Sequence, residues 1–206
     1  MAAASLDGRL AVWIATHRYG PLDGLFVWLG TIEKLGAVWV ALALVVALLT
    51  GRGYRAAAAL AVLTALTTFA ADSISFGVKD LVQRTRPFTA HPQIHPLYTV
   101  HSSSLPAGHA ATAFAAATFP SYLAPRATPL FVAPAAAIGF SRVYVGVHYP
   151  GNVLAGAGIG VVVGIAAIGL LAAVRDRPVV KRFAQRRHPT RRWPEARGRA
   201  QRRPAT

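Results

Sequence analysis

Cysteine is absent from this chain of 206 residues, so disulfides and thiol chemistry are excluded. Carboxylates are scarce as well: seven Asp and Glu stand against 22 Lys and Arg. Charged residues of both signs make up only 14%, against about 25% in a soluble domain. The first residues lack the charged, apolar and small-residue succession of a secretory signal peptide. The first strong apolar helix is therefore expected to act as its own insertion signal. No repeat of about 20–50 residues is present. What the chain does hold is apolar: hydrophobic residues reach 54%. Low charge with a high apolar fraction predicts a polytopic membrane protein of one domain.

The net charge of +15 is concentrated at one end. Residues 175–206 carry twelve Lys and Arg against Asp176 and Glu195, a net +10, which leaves +5 for the other 174 residues. A basic tail directly after an apolar helix marks the cytoplasmic side of a membrane, so the excess charge is read as topology and no nucleic-acid partner is expected. The tail is poor in apolar residues and is expected to be disordered. The chain thus reads as a membrane-embedded domain, 1–174, followed by a basic cytoplasmic tail, 175–206.

A spanning helix needs about 20 apolar residues. Residues 56–76 and 152–174 supply them. Residues 35–50 are fewer, and 108–124 and 127–140 are Ala-rich with Pro120, Pro125 and Pro134 in or beside them. The expected fold is all-α, a membrane helix bundle of five or six transmembrane helices. Residues 5–30 alternate apolar and polar side chains and read as a short interfacial amphipathic helix, with a sixth span as the alternative. Five spans put Arg52, Arg55, Arg126 and the tail on one face, which the excess of cations makes cytoplasmic. Gly156, Gly160 and Gly164 form a small-residue stripe on the last helix. Such a stripe permits close helix packing; it is read first as a contact within the bundle and second as a homodimer contact.

The opposite, outer face then collects Lys79, Arg84, Arg86 and Arg142, against the usual charge rule, and a bound anion is the simplest reason. Three segments bring them: "KDLVQRTRP" at 79–87, "SLPAGHA" at 104–110 and "SRVYVGVHYPGN" at 141–152. Phosphoryl transfer needs such parts. Cations hold the non-bridging oxygens, and Arg does so with a planar fork. A neutral imidazole can attack phosphorus, and a second histidine can protonate the leaving oxygen. His148 and His109 are the candidates. Gly108 opens a helix whose first N–H groups favour an anion. Asp72 and Asp80 are too few for a metal cluster, so neither a metal nor another cofactor is expected. His91, His95 and His101 are separated by prolines and read as a loop rather than a metal site.

The three segments resemble the signature of the type 2 phosphatidic acid phosphatase superfamily, which also includes the vanadium haloperoxidases. Its pattern is Lys-x6-Arg-Pro, Pro-Ser-Gly-His and Ser-Arg-x5-His-x3-Asp. Lys79 and Arg86-Pro87 match the first part; Pro106, Gly108 and His109 match the second; Ser141, Arg142 and His148 match the third. The resemblance implies that His148 is the nucleophile that forms a phosphohistidine and His109 the general acid. It implies a phosphate clamp of Lys79, Arg86 and Arg142, completed by the backbone of Ala107 and Gly108, with Arg84, Ser104 and Asn152 in support. It also implies an active site at the outer face of the cytoplasmic membrane, acting on lipid partners. Undecaprenyl diphosphate is the first expected substrate, then phosphatidic acid and phosphatidylglycerol phosphate. The motif-bearing helices are too apolar for a soluble haloperoxidase.

Two positions depart from the pattern. Ala107 replaces the serine, losing a hydroxyl hydrogen bond of about 0.5–1.5 kcal/mol that Ser102, Ser103 or Ser104 could replace. Asn152 replaces the aspartate, which would have accepted from the imidazole N–H and stabilised its positive charge. Asn152 is expected either to cap the last helix or to leave His148 to another acceptor. These departures keep two other readings open: a lipid-linked phosphotransferase, and a catalytically weakened membrane protein that binds lipid phosphate.

Overall fold

The computed structural model describes residues 5–34, 36–51 and 53–175. Arg52 and the basic tail beyond Arg175 lie outside the described residues. Among those described there is no strand. The α-helices are α1 (Leu6–Thr16), α2 (Asp23–Lys34), α3 (Ala37–Leu49), α4 (Tyr54–Val82), α5 (Pro87–Ala90), α6 (Gly108–Leu123), α7 (Thr128–Tyr144) and α8 (Pro150–Arg175).

The N-terminal segment corrects the sequence reading. Residues 5–30 are not one interfacial helix. The hydroxyl of Ser5 accepts from the Gly8 N–H at 3.2 Å and starts α1, with Asp7 in the first turn, where a carboxylate suits the helix dipole. The chain then breaks in a 3-10 turn at Gly20–Leu22 containing Pro21, and α2 packs on α7. Arg9 and His17 stay exposed, while Asp23 and the Tyr19 carbonyl hold a protein contact. The Tyr144 hydroxyl lies 2.8 Å from the Tyr19 carbonyl and 2.9 Å from Asp23 Oδ1.

By length and hydropathy, two helical stretches can cross a bilayer, 54–90 and 150–173; Gly20–Glu33 and Ala37–Leu49 qualify only as a pair. Among the described residues that gives two candidate spans, or three, and the expected five or six are not confirmed. The 16 residues of α6 and 17 of α7 rise about 24–26 Å. Their place is inside the bundle. α6 contacts α2, α3, α4 and α7 and buries Ala110, Ala111, Ala113, Ala115, Ala116 and Ala117. α8 closes on α6 through its small-residue stripe. A Cβ on Gly156 would overlap the Ala107 carbonyl, one on Gly160 the Ala111 carbonyl, and one on Gly164 the Thr118 side chain. The stripe is therefore occupied within the chain, and the homodimer alternative loses its surface.

The helix directions gather the chemistry at one end. α4 and α7 finish where α6 and α8 begin, so all three motif segments meet there.

Candidate active site

α4 stops at Gln83, which is left-handed with φ 45° and donates its N–H to the Lys79 carbonyl at 3.1 Å. This C-terminal device turns the chain off the helix axis. Lys79 stays on the last turn of α4, and Arg84 and Arg86 leave it. The Lys79 ammonium stands over the start of α6: a Cβ on Gly108 would lie 3.4 Å from Nζ. Arg86 donates through Nε to the Ser102 carbonyl at 2.7 Å, through Nη1 to the Val147 carbonyl at 2.8 Å, and through Nη2 to Ser102 Oγ at 3.1 Å.

Past α7, Gly146 takes φ 84° against Ile94, whose side chain a Cβ would strike. Only glycine adopts that turn without strain. It delivers the buried His148 ring with Nδ1 at 2.7 Å from the Ser104 carbonyl. A carbonyl can only accept, so Nδ1 carries the hydrogen and Nε2 the lone pair. Nε2 faces Arg86 Nη1 at 3.5 Å. Burial first, then the positive charges of Arg86 and Lys79, hold the imidazole pKa well below its usual 6.5, partly opposed by the Ser104 carbonyl. The ring is a neutral imidazole with its lone pair on Nε2.

Asn152 is not a cap; it lies inside α8, which starts at Pro150, and it is fully buried. Its Nδ2 donates to the Ser104 carbonyl at 2.8 Å and to Ser104 Oγ, and its Oδ1 accepts from Arg84 Nη1. Residue 152 therefore does not receive the His148 proton itself; it holds the carbonyl that does. Ala107 also differs from expectation. Its N–H donates to the Asn152 carbonyl at 3.0 Å, joining α6 to α8 rather than facing an anion.

Arg142 is buried in protein contacts. Nη1 donates to the Tyr98 hydroxyl at 2.7 Å, Nη2 to the Phe26 carbonyl at 3.0 Å, and Nε to Ser141 Oγ at 2.9 Å. Gly30 leaves room for it, since a Cβ there would overlap the guanidinium. His109 Nε2 lies 3.3 Å from the Gly30 carbonyl and 3.7 Å from Glu33 Oε2. Asp7 pairs with Arg84 at 2.7 Å, and the Arg84 guanidinium stacks 4.2 Å from the Tyr149 ring centre. Asp7, Phe26, Gly30, Glu33 and Tyr98 were not found from the sequence. Four of them lie on α1 and α2, where no motif spacing marks them. The one available clue was the presence of three carboxylates, Asp7, Asp23 and Glu33, in the first 34 residues of a chain with only seven.

A cavity of about 840 Å³ opens beside this cluster. Val40, Ala41, Leu44 and Phe69 wall it, and Lys79, Asp72, His109 and Glu33 line its polar part. A second cavity of about 490 Å³ shares Lys79 and is lined by Arg84, Arg86, His101, Ser102 and Ser103. The arrangement can hold an amphiphile with its anionic group at the cations and its apolar part against α3 and α4.

Residues 54–176 match the family model described as the PAP2 superfamily. A decaprenylphosphoryl-5-phosphoribose phosphatase of Mycobacterium tuberculosis is 39% identical over 99 residues, 47% of this chain and 52% of that protein. The chain thus spans about half the length of the curated relatives it matches. A PAP2-type phosphatidylglycerolphosphate phosphatase of Bacillus subtilis shares the fold, with a TM-score of 0.65 at 20% identity over 83% of this chain and 87% of its own. LpxE of Aquifex aeolicus superposes with a TM-score of 0.63 at 26% identity over 80% of this chain and 96% of its own.

Proposed function

The chain belongs to the PAP2 superfamily, and from that premise we propose that it is a membrane phosphatase that hydrolyses a lipid phosphate or diphosphate through a phosphohistidine on His148. The observation that carries the reading is the meeting of Lys79 and His109, at the polar part of an apolar-walled cavity, with the paired Arg86 and His148. The charges of Lys79, Arg86 and His109 all reach the His148 ring.

The lipid tail lies against Val40, Leu44 and Phe69, and the phosphate sits among Lys79, Arg86 and the start of α6. The Nε2 lone pair of His148 forms the P–N bond as the bond from phosphorus to the lipid oxygen breaks. The leaving oxygen takes a proton from His109. Water then attacks phosphorus and gives its proton to His109, and the P–N electron pair returns to Nε2 as phosphate departs. Arg142 braces the cluster through Tyr98 and Phe26. The site faces the outer side and the basic tail the cytoplasm.

The substrate class is a long-chain lipid phosphate. Undecaprenyl diphosphate, phosphatidic acid and phosphatidylglycerol phosphate stay on the panel, and the name of the Mycobacterium tuberculosis relative adds a polyprenyl-linked sugar phosphate. Purified protein should release phosphate from at least one of these in detergent, with EDTA present, and His148→Ala should not. Equal release by both proteins would remove the reading. A labelled lipid that passes its label to a second alcohol instead of to free phosphate would establish a phosphotransferase.

A further inference from the structure

The carboxylate missing from position 152 stands on the first helix. Asp7 Oδ2 accepts from Arg84 Nη2 at 2.7 Å, and Oδ1 accepts from the Gly151 N–H at 2.7 Å, at the start of α8. The other amino group of Arg84 donates to Asn152 Oδ1. Asn152 Nδ2 donates to the Ser104 carbonyl, and that carbonyl takes the Nδ1–H of His148. The Ser104 N–H returns to the Arg84 carbonyl at 2.8 Å, which closes the circuit. Asp7 lies outside the residues matched by the family model, 54–176.

We propose that Asp7 is a positioning residue of the phosphatase site: it holds Arg84 on Asn152 and, through Asn152 and the Ser104 carbonyl, fixes the His148 imidazole with its lone pair on Nε2. The inference rests on His148 being the nucleophile. A side-chain amide has two nearly isosteric orientations, and its neighbours choose between them. Arg84 can only donate, so its presence at Oδ1 turns Nδ2 toward Ser104. Arg84 is itself partly exposed, with a side chain 33% accessible, and has a nearby anion to choose in the bound phosphate. The Asp7 carboxylate, anchored by the Gly151 N–H, keeps the guanidinium where the amide needs it. It also cancels a positive charge that would oppose the charge His148 gains on phosphorylation. Asn152 and Asp7 are thus a matched pair, which accounts for the asparagine.

The test compares wild type, Asp7→Asn and the double variant Asp7→Asn with Asn152→Asp, assayed with lipid phosphate alongside His148→Ala. Asp7→Asn keeps an acceptor for Gly151 but sets an uncharged amide donor against Arg84 Nη2, which removes both the charge and the Arg84 hydrogen bond. Its kcat is expected to fall about 10–100-fold, with KM little changed. ¹⁵N-histidine spectra should show His148 losing its single Nδ1–H tautomer. The double variant returns a carboxylate to Arg84 at position 152, where its second oxygen can take the Nδ1–H, so kcat should recover part of the loss. A purely structural Asp7 would lower thermal stability, leave kcat and the tautomer as in wild type, and give no recovery; that result overturns the inference. If Asp7→Asn does not fold, Arg84→Gln breaks the same link from the other side, and an unchanged kcat there overturns it equally. An active His148→Ala would instead remove the phosphatase mechanism itself, so the two failures are distinguishable.

Discussion

Glu33 and His109 face each other across α2 and α6, with Oε2 3.7 Å from Nε2. Thr112, one turn beyond His109, donates to the other oxygen of the same carboxylate and so fixes which oxygen meets the ring. The pair sets a buried carboxyl oxygen beside the His109 ring within the cavity wall.

This geometry makes leaving-group chemistry the measure of Glu33. A lipid alkoxide needs a proton to depart, and p-nitrophenolate does not. His109→Ala should therefore lose about 10²–10⁴-fold in hydrolysis of a lipid phosphate and far less with p-nitrophenyl phosphate. Glu33→Gln should show the same selectivity with a smaller loss. Equal losses on both substrates would mean that Glu33 serves folding alone.

Gly30 is expected to tolerate no side chain. In Gly30→Ala the methyl group meets the Arg142 guanidinium and pushes it off the Tyr98 hydroxyl and the Phe26 carbonyl. kcat/KM should fall about tenfold or more, and steady-state phosphate release measures it. The destabilisation expected from such overpacking is about 1–3 kcal/mol.

His148 sets a pH dependence with a definite sign. Its pKa lies well below 6.5 in the fold, chiefly through burial, and returns to about 6.5 on unfolding. Between those values the unfolded chain binds the additional proton, so stability falls as pH drops below about 6.5 and levels off under the folded pKa. Thermal unfolding in detergent should show a weaker acid loss in His148→Gln than in wild type. The acid limb of kcat/KM that belongs to His148 should lie below pH 6.5 for the same reason.

The contact between α8 and α6 is predicted to matter more for stability than for assembly. Gly160→Val forces a branched side chain onto the Ala111 carbonyl and the Phe114 side chain. A loss of at least about 1–3 kcal/mol is expected, read as a lower thermal midpoint with no change in oligomeric mass. A dimer-to-monomer shift at unchanged stability would contradict the packing described.

The catalytic candidates were legible because each motif is local. Lys79 and Arg86, or Arg142 and His148, lie within one helix end and its turn, so spacing alone places them together. Asp7 and Glu33 were not, because they reach Arg84 and Thr112 across 77 and 79 positions from helices that carry no motif spacing. The role of Asn152 was hidden for a related reason: its meaning depends on which partner faces each end of the amide, and both partners are remote in sequence. Among the described residues two helices alone meet the length and hydropathy of a span; Ala-rich runs such as α6 are apolar but shorter, and their small side chains serve a buried centre. The end of α4 was underread, since Lys79 and Asp80 interrupt the apolar window while the helix continues to Val82.

α4 is unbroken from Tyr54 to Val82 and carries both Phe69 of the cavity wall and Lys79 of the cation cluster. Ala65, deep in the same cavity, is fixed about 21 Å from Lys79 along the axis by the helical rise. A stiff rod of that kind works as a ruler. On the proposed function it would gauge how far an amphiphile's anionic end protrudes beyond its greasy portion, so substrates should be sorted by the reach between the two as well as by headgroup chemistry.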